Sequence, residues 1–407
     1  REEYMAINFN QMTDKVFTYT EKLINKFGPR KAGSKAAQDC ADELYKKLNS
    51  FADEARVEEF GVHAGAFLGW IRILVFLYAL GVVFLWLSMS MVTAILLFVG
   101  IIIMVFEFFL YKHAIDFLYP RKTGKNVIGV VEPIDEVKQQ IIISGHHDSA
   151  RIFNFYIHQP KLYALRVIGG IGILATIFLL STVLTFTGLS QIFTTIVATL
   201  ASVGALIVFQ LWFFASTKAT PGAGDNLVAA VMAVESLRQI AKNNKDGKGL
   251  KHTRVIAISF DAEEEGLRGA HAYAKKHAAE FKNIPTYLYN IDCPYFLEDL
   301  FFLTSDINGS VNLSYDLAQE CRVSAEKLGY KSEVKPIAFL TGGTDAAELA
   351  KVGVEATTLM AMPWDNNERA SYYHTPNDTI DHVEKEVVQA GLEIFFDIVD
   401  KKDKLII

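Results

Sequence analysis

Two long stretches of this chain carry almost no polar positions, and they interrupt a sequence that otherwise alternates at helix or strand spacing. Residues 73–106 contain no charged side chain, and GAFLGWI at 65–71 extends the apolar run upstream past Arg72. That suits two membrane-spanning helices of about 17 to 23 residues turning near residues 88–90. Residues 167–217 are again uncharged, long enough for two crossings of about 20 residues with a turn near 185–191. Core helices of soluble proteins rarely run so far without a charge.

The flanking sequence has soluble character. Residues 4–48 alternate charged and apolar positions at helical spacing, broken by FGPRKAGS at 27–34, which reads as a turn between two helices. Strands are predicted at 56–62, 125–132 and 138–145. After Lys218 helix and strand alternate, beginning with a helix over 226–241 that sets Leu227, Val231, Val234, Leu237 and Ile240 on one face. Strands follow at 253–260, 286–291, 300–303 and 356–360, and helices at 267–281, 311–328, 344–352 and 381–400. The expected class is α/β, a mostly parallel, mixed sheet with helices on both faces, plus about four transmembrane helices. The expected division is 1–63, 117–163 and 218–407 for one soluble domain, with hairpins inserted at 64–116 and 164–217.

Composition agrees with a membrane component: 51% hydrophobic residues against 21% charged is too apolar for an ordinary soluble enzyme. A net charge of −6 with no basic stripe excludes nucleic acid as an expected partner. Cys40, Cys293 and Cys321 form no CxxC and are odd in number, which suits a reducing compartment or merely one free thiol. The first sixty residues hold no run resembling a secretory signal.

The candidate chemistry starts at residues 141–149, IIISGHHDS, a buried strand followed by two histidines and an aspartate at its carboxyl end, where open α/β sheets place their sites. In His146-x-Asp148 a neutral imidazole can bind a metal while the carboxylate fixes the ring. Four further stretches offer ligands. PGAGDN (221–226) opens a helix at Asp225, otherwise an N-cap. FDAEEEGLRG (260–269) has three adjacent glutamates, otherwise a solvated helix start. YNIDCPY (289–295) ends a strand at Asp292, costly to bury unless paired or metal-bound. YYHTPNDT (372–379) carries His374 on a loop. In this order they are the parts of a two-metal hydrolytic site.

On those motifs the sequence resembles the co-catalytic zinc exopeptidases of the bacterial leucyl aminopeptidase and glutamate carboxypeptidase family, over roughly residues 10–63, 125–160 and 218–400. The resemblance implies a zinc-exopeptidase-like fold and two Zn2+ per chain. Asp225 would bridge, His146 and Asp292 completing one site and Glu264 and His374 the other. It implies Glu263 as general base, Asp148 as orienter of His146, and Tyr373 as a group polarising the scissile carbonyl. Glu265 is then expected in solvent, and His147 is an alternative ligand. GGTDAAEL (342–349) resembles a substrate-side loop, giving Gly343, Thr344 and Asp345 as substrate contacts, but lacks the histidine often seen after its aspartate. The Ser-Gly that often follows the bridging aspartate is replaced by residues 227–229.

The expectation is therefore a membrane-anchored zinc metallopeptidase, an aminopeptidase acting on peptides at the bilayer. Glutaminyl-cyclase-like or carboxypeptidase chemistry, and an inactive receptor or scaffold, are the alternatives. Since His146 and Asp225 must meet, the block between them crosses an even number of times. The near ends of both hairpins carry Arg72, Lys112, Arg121, Lys122, Lys125, Lys161, Arg166 and Lys218, so the positive-inside rule predicts a catalytic domain in the cytoplasm of a multi-pass plasma-membrane protein. Glu107 and Arg72 are expected to snorkel at the span ends.

Overall fold

The computed structural model describes residues 7–406; residues 4–6 of the first expected helix lie outside them. Helices α1 (Phe9–Phe27) and α2 (Lys35–Asn49) are separated by the expected turn, each capped by a side chain, Asn8 accepting from Gln11 N–H and Ser34 from Ala37 N–H. The sheet is mixed and eight-stranded: β1 (Glu54–Val62), β2 (Lys122–Val131), β3 (Gln139–His146), β6 (Thr253–Phe260), β7 (Thr286–Pro294), β8 (Leu300–Leu303), β11 (Glu333–Lys335) and β12 (Glu355–Ala361) stand in the order β1-β2-β6-β3-β7-β12-β8-β11. The central β6-β3-β7-β12 run is parallel, and β1-β2-β6 and the β12-β8 pair are antiparallel. Short ribbons β4 (Arg151–Phe153) with β5 (Ala215–Ala219), and β9 (Ser305–Asp306) with β10 (Val311–Asn312), flank it.

Near-continuous apolar runs in the central strands, such as Ile141, Ile142 and Ile143, are fully buried because helices cover both faces. One face takes α1, α2, α7 (Val228–Lys245), α9 (Tyr315–Leu328) and α11 (Lys385–Lys404); the other takes α8 (Arg268–Phe281) and α10 (Ala346–Ala350). Leu227, Val228 and Ala229 are fully buried, and α7 comes so close to β3 that a Cβ on Gly145 would lie 2.6 Å from Ala229 Cβ. The apolar residues after Asp225 thus seat that helix against the strand carrying His146.

Several boundaries differ from the sequence pattern for local reasons. The helix expected from 226 starts at Val228 because Asp225 and Asn226 have non-helical backbones. The helix expected from 311 starts at Tyr315, since Val311 and Asn312 pair with β9 and Ser314 caps the helix. The helix expected over 344–352 contracts to α10, and the last begins at Lys385 after a 3-10 turn at Ile380–His382.

Among the described residues, four helices are long and apolar enough to cross a membrane: Ala66–Trp86, Ser90–Phe109, Pro160–Thr187 and Gln191–Phe213. Their regular α portions are α3 (Ala66–Trp86), α4 (Ser90–Met104), α5 (Tyr163–Thr187) and α6 (Gln191–Val208). They pack in a ring, α3 on α4, α4 on α5, α5 on α6 and α6 on α3. Hydrogen bonds from Tyr78 Oη to Ala201 O and from Thr93 Oγ1 to Gly81 O, both 2.8 Å, satisfy polar groups inside the ring. The two far turns lie side by side, Gln191 Nε2 donating to Ser88 Oγ at 2.8 Å.

Glu107 does not snorkel. The chain leaves α4 through a π turn at Val105–Phe109 that folds back onto the sheet domain. Glu107 is fully buried there; it accepts from Ile115 N–H at 2.9 Å and faces Arg268 at 3.5 Å. Arg268 also pairs with Asp116 at 3.0 Å, so a buried charge is matched rather than extended to water.

Candidate metal centre

Five of the expected ligands meet at the carboxyl end of the parallel strands. His146 ends β3, Glu263 and Glu264 follow β6, Asp292 lies near the end of β7, Asp225 precedes α7 and His374 sits on the loop before α11. Ligand atoms of His146, Asp225 and Asp292 lie within 4.8 Å of one another, as do those of Asp225, Glu264 and His374, and those of His146, Glu263 and Glu264. Asp225 belongs to both of the first two sets. Its Oδ1 is 3.3 Å from His146 Nε2 and its Oδ2 3.0 Å from His374 Nε2.

The donor set fits divalent cations. His146 Nε2, Asp225 Oδ2, Glu264 Oε1 and Asp292 Oδ1 are buried and have no hydrogen bond, although they face other site atoms at 3.0 to 3.9 Å. Burying such atoms unpaired is costly. Burial and neighbouring carboxylates hold Glu263 and Glu264 well above the usual carboxylate range, and burial pushes Asp292 up to about 7. Burial works against charge on His146, but Glu263, Asp148 and Asp225 outweigh it and raise the imidazole. Burial would also raise Asp225, yet His146 and His374 hold it below the usual range. The pattern is an excess of dry negative charge, which bound zinc would neutralise.

The surrounding residues fix these side chains. Asp148 Oδ1 is 3.3 Å from His146 Nδ1, and its two oxygens accept from the Glu263 and Glu264 N–H groups at 3.2 Å. Ala262, Cys293 and His374 have left-handed backbones, with φ of 61°, 51° and 52°, a strain of about 1 to 2 kcal/mol each in non-glycine residues that aims the adjoining ligands. The peptide bond between Asp225 and Asn226 is cis. Tyr373 stacks on His374 with ring centroids 4.0 Å apart. Gly343 and Thr344 line the cleft. Asp345 is buried beside them, with Oδ1 unpaired. Asp306 accepts from Thr344 N–H at 2.8 Å and from its hydroxyl at 2.6 Å, pinning that loop.

Two expectations are corrected. Glu265 is buried rather than solvated: it accepts from Gly65 N–H at 2.6 Å and pairs with Arg151 at 3.4 Å, tying the glutamate turn to the start of α3. His147 points away from the ligands. Its Nδ1 lies 2.8 Å from Ser259 Oγ, and it belongs to none of the candidate metal groups among the described residues.

Two supporting residues escaped sequence reasoning. Asp378 accepts from Gly224 N–H at 2.9 Å, Asp225 N–H at 3.4 Å and Tyr295 Oη at 3.0 Å, holding the Asp225 turn. Arg30 is fully buried in the turn between α1 and α2, with its guanidinium bonded to the carbonyls of Gly28, His147, Pro221 and Gly222 at 2.7 to 3.0 Å. It joins the His146 loop to the Asp225 loop. An Arg30→Met variant strands those acceptors, and thermal unfolding of the purified protein is expected to show a loss of about 3 to 5 kcal/mol; unchanged stability contradicts the role. The FGPR stretch was the available signal, read as a turn alone.

The fold and donor set together define a zinc-exopeptidase-like α/β protein. Residues 209–399, a little under half of the chain, match the family model described as Peptidase family M28. Asp225, Glu263, Glu264, Asp292 and His374 lie inside the matched stretch; His146 and Asp148 lie outside it. Aminopeptidase YwaD of Bacillus subtilis (strain 168) is 27% identical over 188 residues, 45% of this chain and 38% of that one. The alignment thus spans under two fifths of that relative's length. A Zn-dependent exopeptidase from Parabacteroides distasonis shares the fold with TM-score 0.57 and 14% identity, covering 95% of this chain and 97% of that one. Porphyromonas gingivalis glutaminyl cyclase gives 0.56 and 14% over 96% and 98%. A zinc aminopeptidase from Bacillus subtilis gives 0.54 and 14% over 95% and 94%. At these identities the structural likeness is one of fold.

Proposed function

We propose that this chain is a membrane-anchored aminopeptidase that holds two zinc ions, one between His146 and Asp292, the other between Glu264 and His374, with Asp225 shared. The observation that carries the choice of end is the charge of the cleft. Asp225, Glu263, Glu264 and Asp292 line it, and among the described residues no lysine or arginine does. A free substrate amine needs no side-chain cation there, whereas the carboxylate of a carboxypeptidase substrate would meet none. Zinc, when bound, supplies a Lewis acid and makes a bound water acidic enough to ionise near neutral pH.

The chain's own groups do the rest. Glu263 carries a buried carboxylate whose Oε2 is 3.8 Å from His146 Nε2; it takes a proton from the attacking water and returns it to the leaving amine. Asp148 holds His146 in one tautomer. The Tyr373 hydroxyl donates to the carbonyl oxygen as it gains charge. The domain faces the cytoplasm, a reading supported by basic residues at the near ends of both hairpins and none at the paired far turns.

Matched peptides with a free or an acetylated amine test the reading. The free peptide is expected to release its first residue and the acetylated one to resist. Cleavage from the carboxyl end contradicts it, as does ammonia release from an N-terminal glutamine peptide in place of residue release.

A further inference from the structure

The cleft does not end at the sheet domain. Its empty space, counted out to the open mouth, is about 1240 Å³, and it continues into the near end of the apolar helical ring. All four helices or their immediate ends contribute: Phe67, Trp70 and Ile71 from α3, Phe108 after α4, Val167 and Ile171 from α5, Leu211 after α6. Ile171 lies eight residues past the start of α5 at Tyr163, which at 1.5 Å per residue is roughly 12 Å along the helix. Extended peptide advances roughly 3.3 to 3.6 Å per residue, so that depth accommodates three to four residues. One pole of the cavity is acidic and the other is lined mainly by apolar side chains. Its rim meets the bundle edge: Leu340, Thr341 and Gly342 line the cleft, while their neighbour Phe339 is 69% exposed and packs on Phe109, the last residue of the second span, at 5.7 Å.

We propose that the substrates are short peptides apolar over their first three to four residues, supplied from the bilayer, with their side chains held between α3, α5 and the end of α6. This rests on the aminopeptidase reading and extends it from the reaction to the substrate class. Burying two or three apolar side chains there favours such peptides over hydrophilic ones by more than a factor of ten, and the exposed Phe339, packed on the last residue of the second span, gives the cleft an apolar rim at the edge of the bundle.

The test uses the zinc-loaded full chain in lipid nanodiscs with two peptides sharing an N-terminal leucine, Leu-Leu-Val-Leu and Leu-Ser-Gln-Ser. The wild-type ratio of kcat/KM, apolar over hydrophilic, is expected to be tenfold or more. It is expected to collapse toward one in Ile171→Ser and Val167→Ser, and to persist in Ile168→Ser, one position along α5 and 56% exposed on the outer face. A wild-type ratio near one, or equal loss in all three variants, overturns the proposal. A second arm separates it from the catalytic reading. With zinc chelated, a photoreactive Leu-Leu-Val-Leu analogue incorporated in the nanodisc is expected to cross-link to α5 near residues 167–171, displaced by the apolar peptide and not the hydrophilic one. Cross-linking with no turnover sinks the aminopeptidase reading alone; absence of cross-linking sinks the substrate class whether or not turnover is seen. Equal cross-linking when the analogue is added from water, in the absence of lipid, removes the bilayer as its source.

Discussion

Glu263→Gln is expected to lower kcat by a factor of about 10² to 10⁴, roughly 3 to 5 kcal/mol of transition-state stabilisation, while zinc content stays at the wild-type level. Glutamine fills the same volume beside His146 but cannot carry a proton from water to the leaving amine. Glu263 also lies within ligand distance of His146 and Glu264, but Asp225, Glu264 and Asp292 each offer a buried, unpaired oxygen to the two sets that share Asp225, which leaves Glu263 as the carboxylate best suited to that task. Burial already raises its proton affinity, which suits a group that accepts and then returns a proton. KM is expected to change little, because a proton moves only as the transition state forms. Steady-state kinetics together with elemental analysis decide the matter; wild-type kcat in a zinc-replete variant removes Glu263 as the base.

The second large effect belongs to Asp225. Asp225→Asn is expected to lose zinc from both positions and activity with it, whereas His374→Ala is expected to retain the ion held by His146 and Asp292. Asp225 is the residue common to both ligand sets, and its two oxygens face a different histidine each, at 3.3 and 3.0 Å. An amide keeps the shape but withdraws the negative charge that would offset repulsion between two neighbouring dications. Elemental analysis of both variants after dialysis against dilute chelator measures this. Equal zinc retention in the two contradicts a bridging role.

The clustering of the candidate ligands was legible because all of them except His374 sit at a strand end or beside a helix start, where spacing and burial both leave a signal in sequence. IIISGHHDS announces a strand that stops on a histidine, and the uncharged runs announce the helical ring. What the sequence hid was distant pairing. Glu265 reads as a third solvated glutamate until Gly65, 200 positions away, is found donating to it. Arg30 reads as turn composition, although its worth lies in carbonyls contributed by two remote loops. Glu107 reads as an end-of-span charge because Arg268 is far along the chain. The left-handed backbones at Ala262 and Cys293 belong to residue types that rarely adopt them, so local propensity argued against the geometry that aims the adjoining side chains. One sheet edge was obscure for a related reason: a three-residue strand such as Glu333–Lys335 carries too little pattern to stand out, whereas the opposite edge, β1, was expected at 56–62.

The most direct test of the account is the zinc count and position in the purified wild-type protein. Elemental analysis is expected to give two ions per chain, and anomalous scattering at the zinc edge two peaks on either side of Asp225, one against His146 and Asp292 and one against Glu264 and His374. A fully active preparation without metal, or a single peak lying away from Asp225, contradicts it.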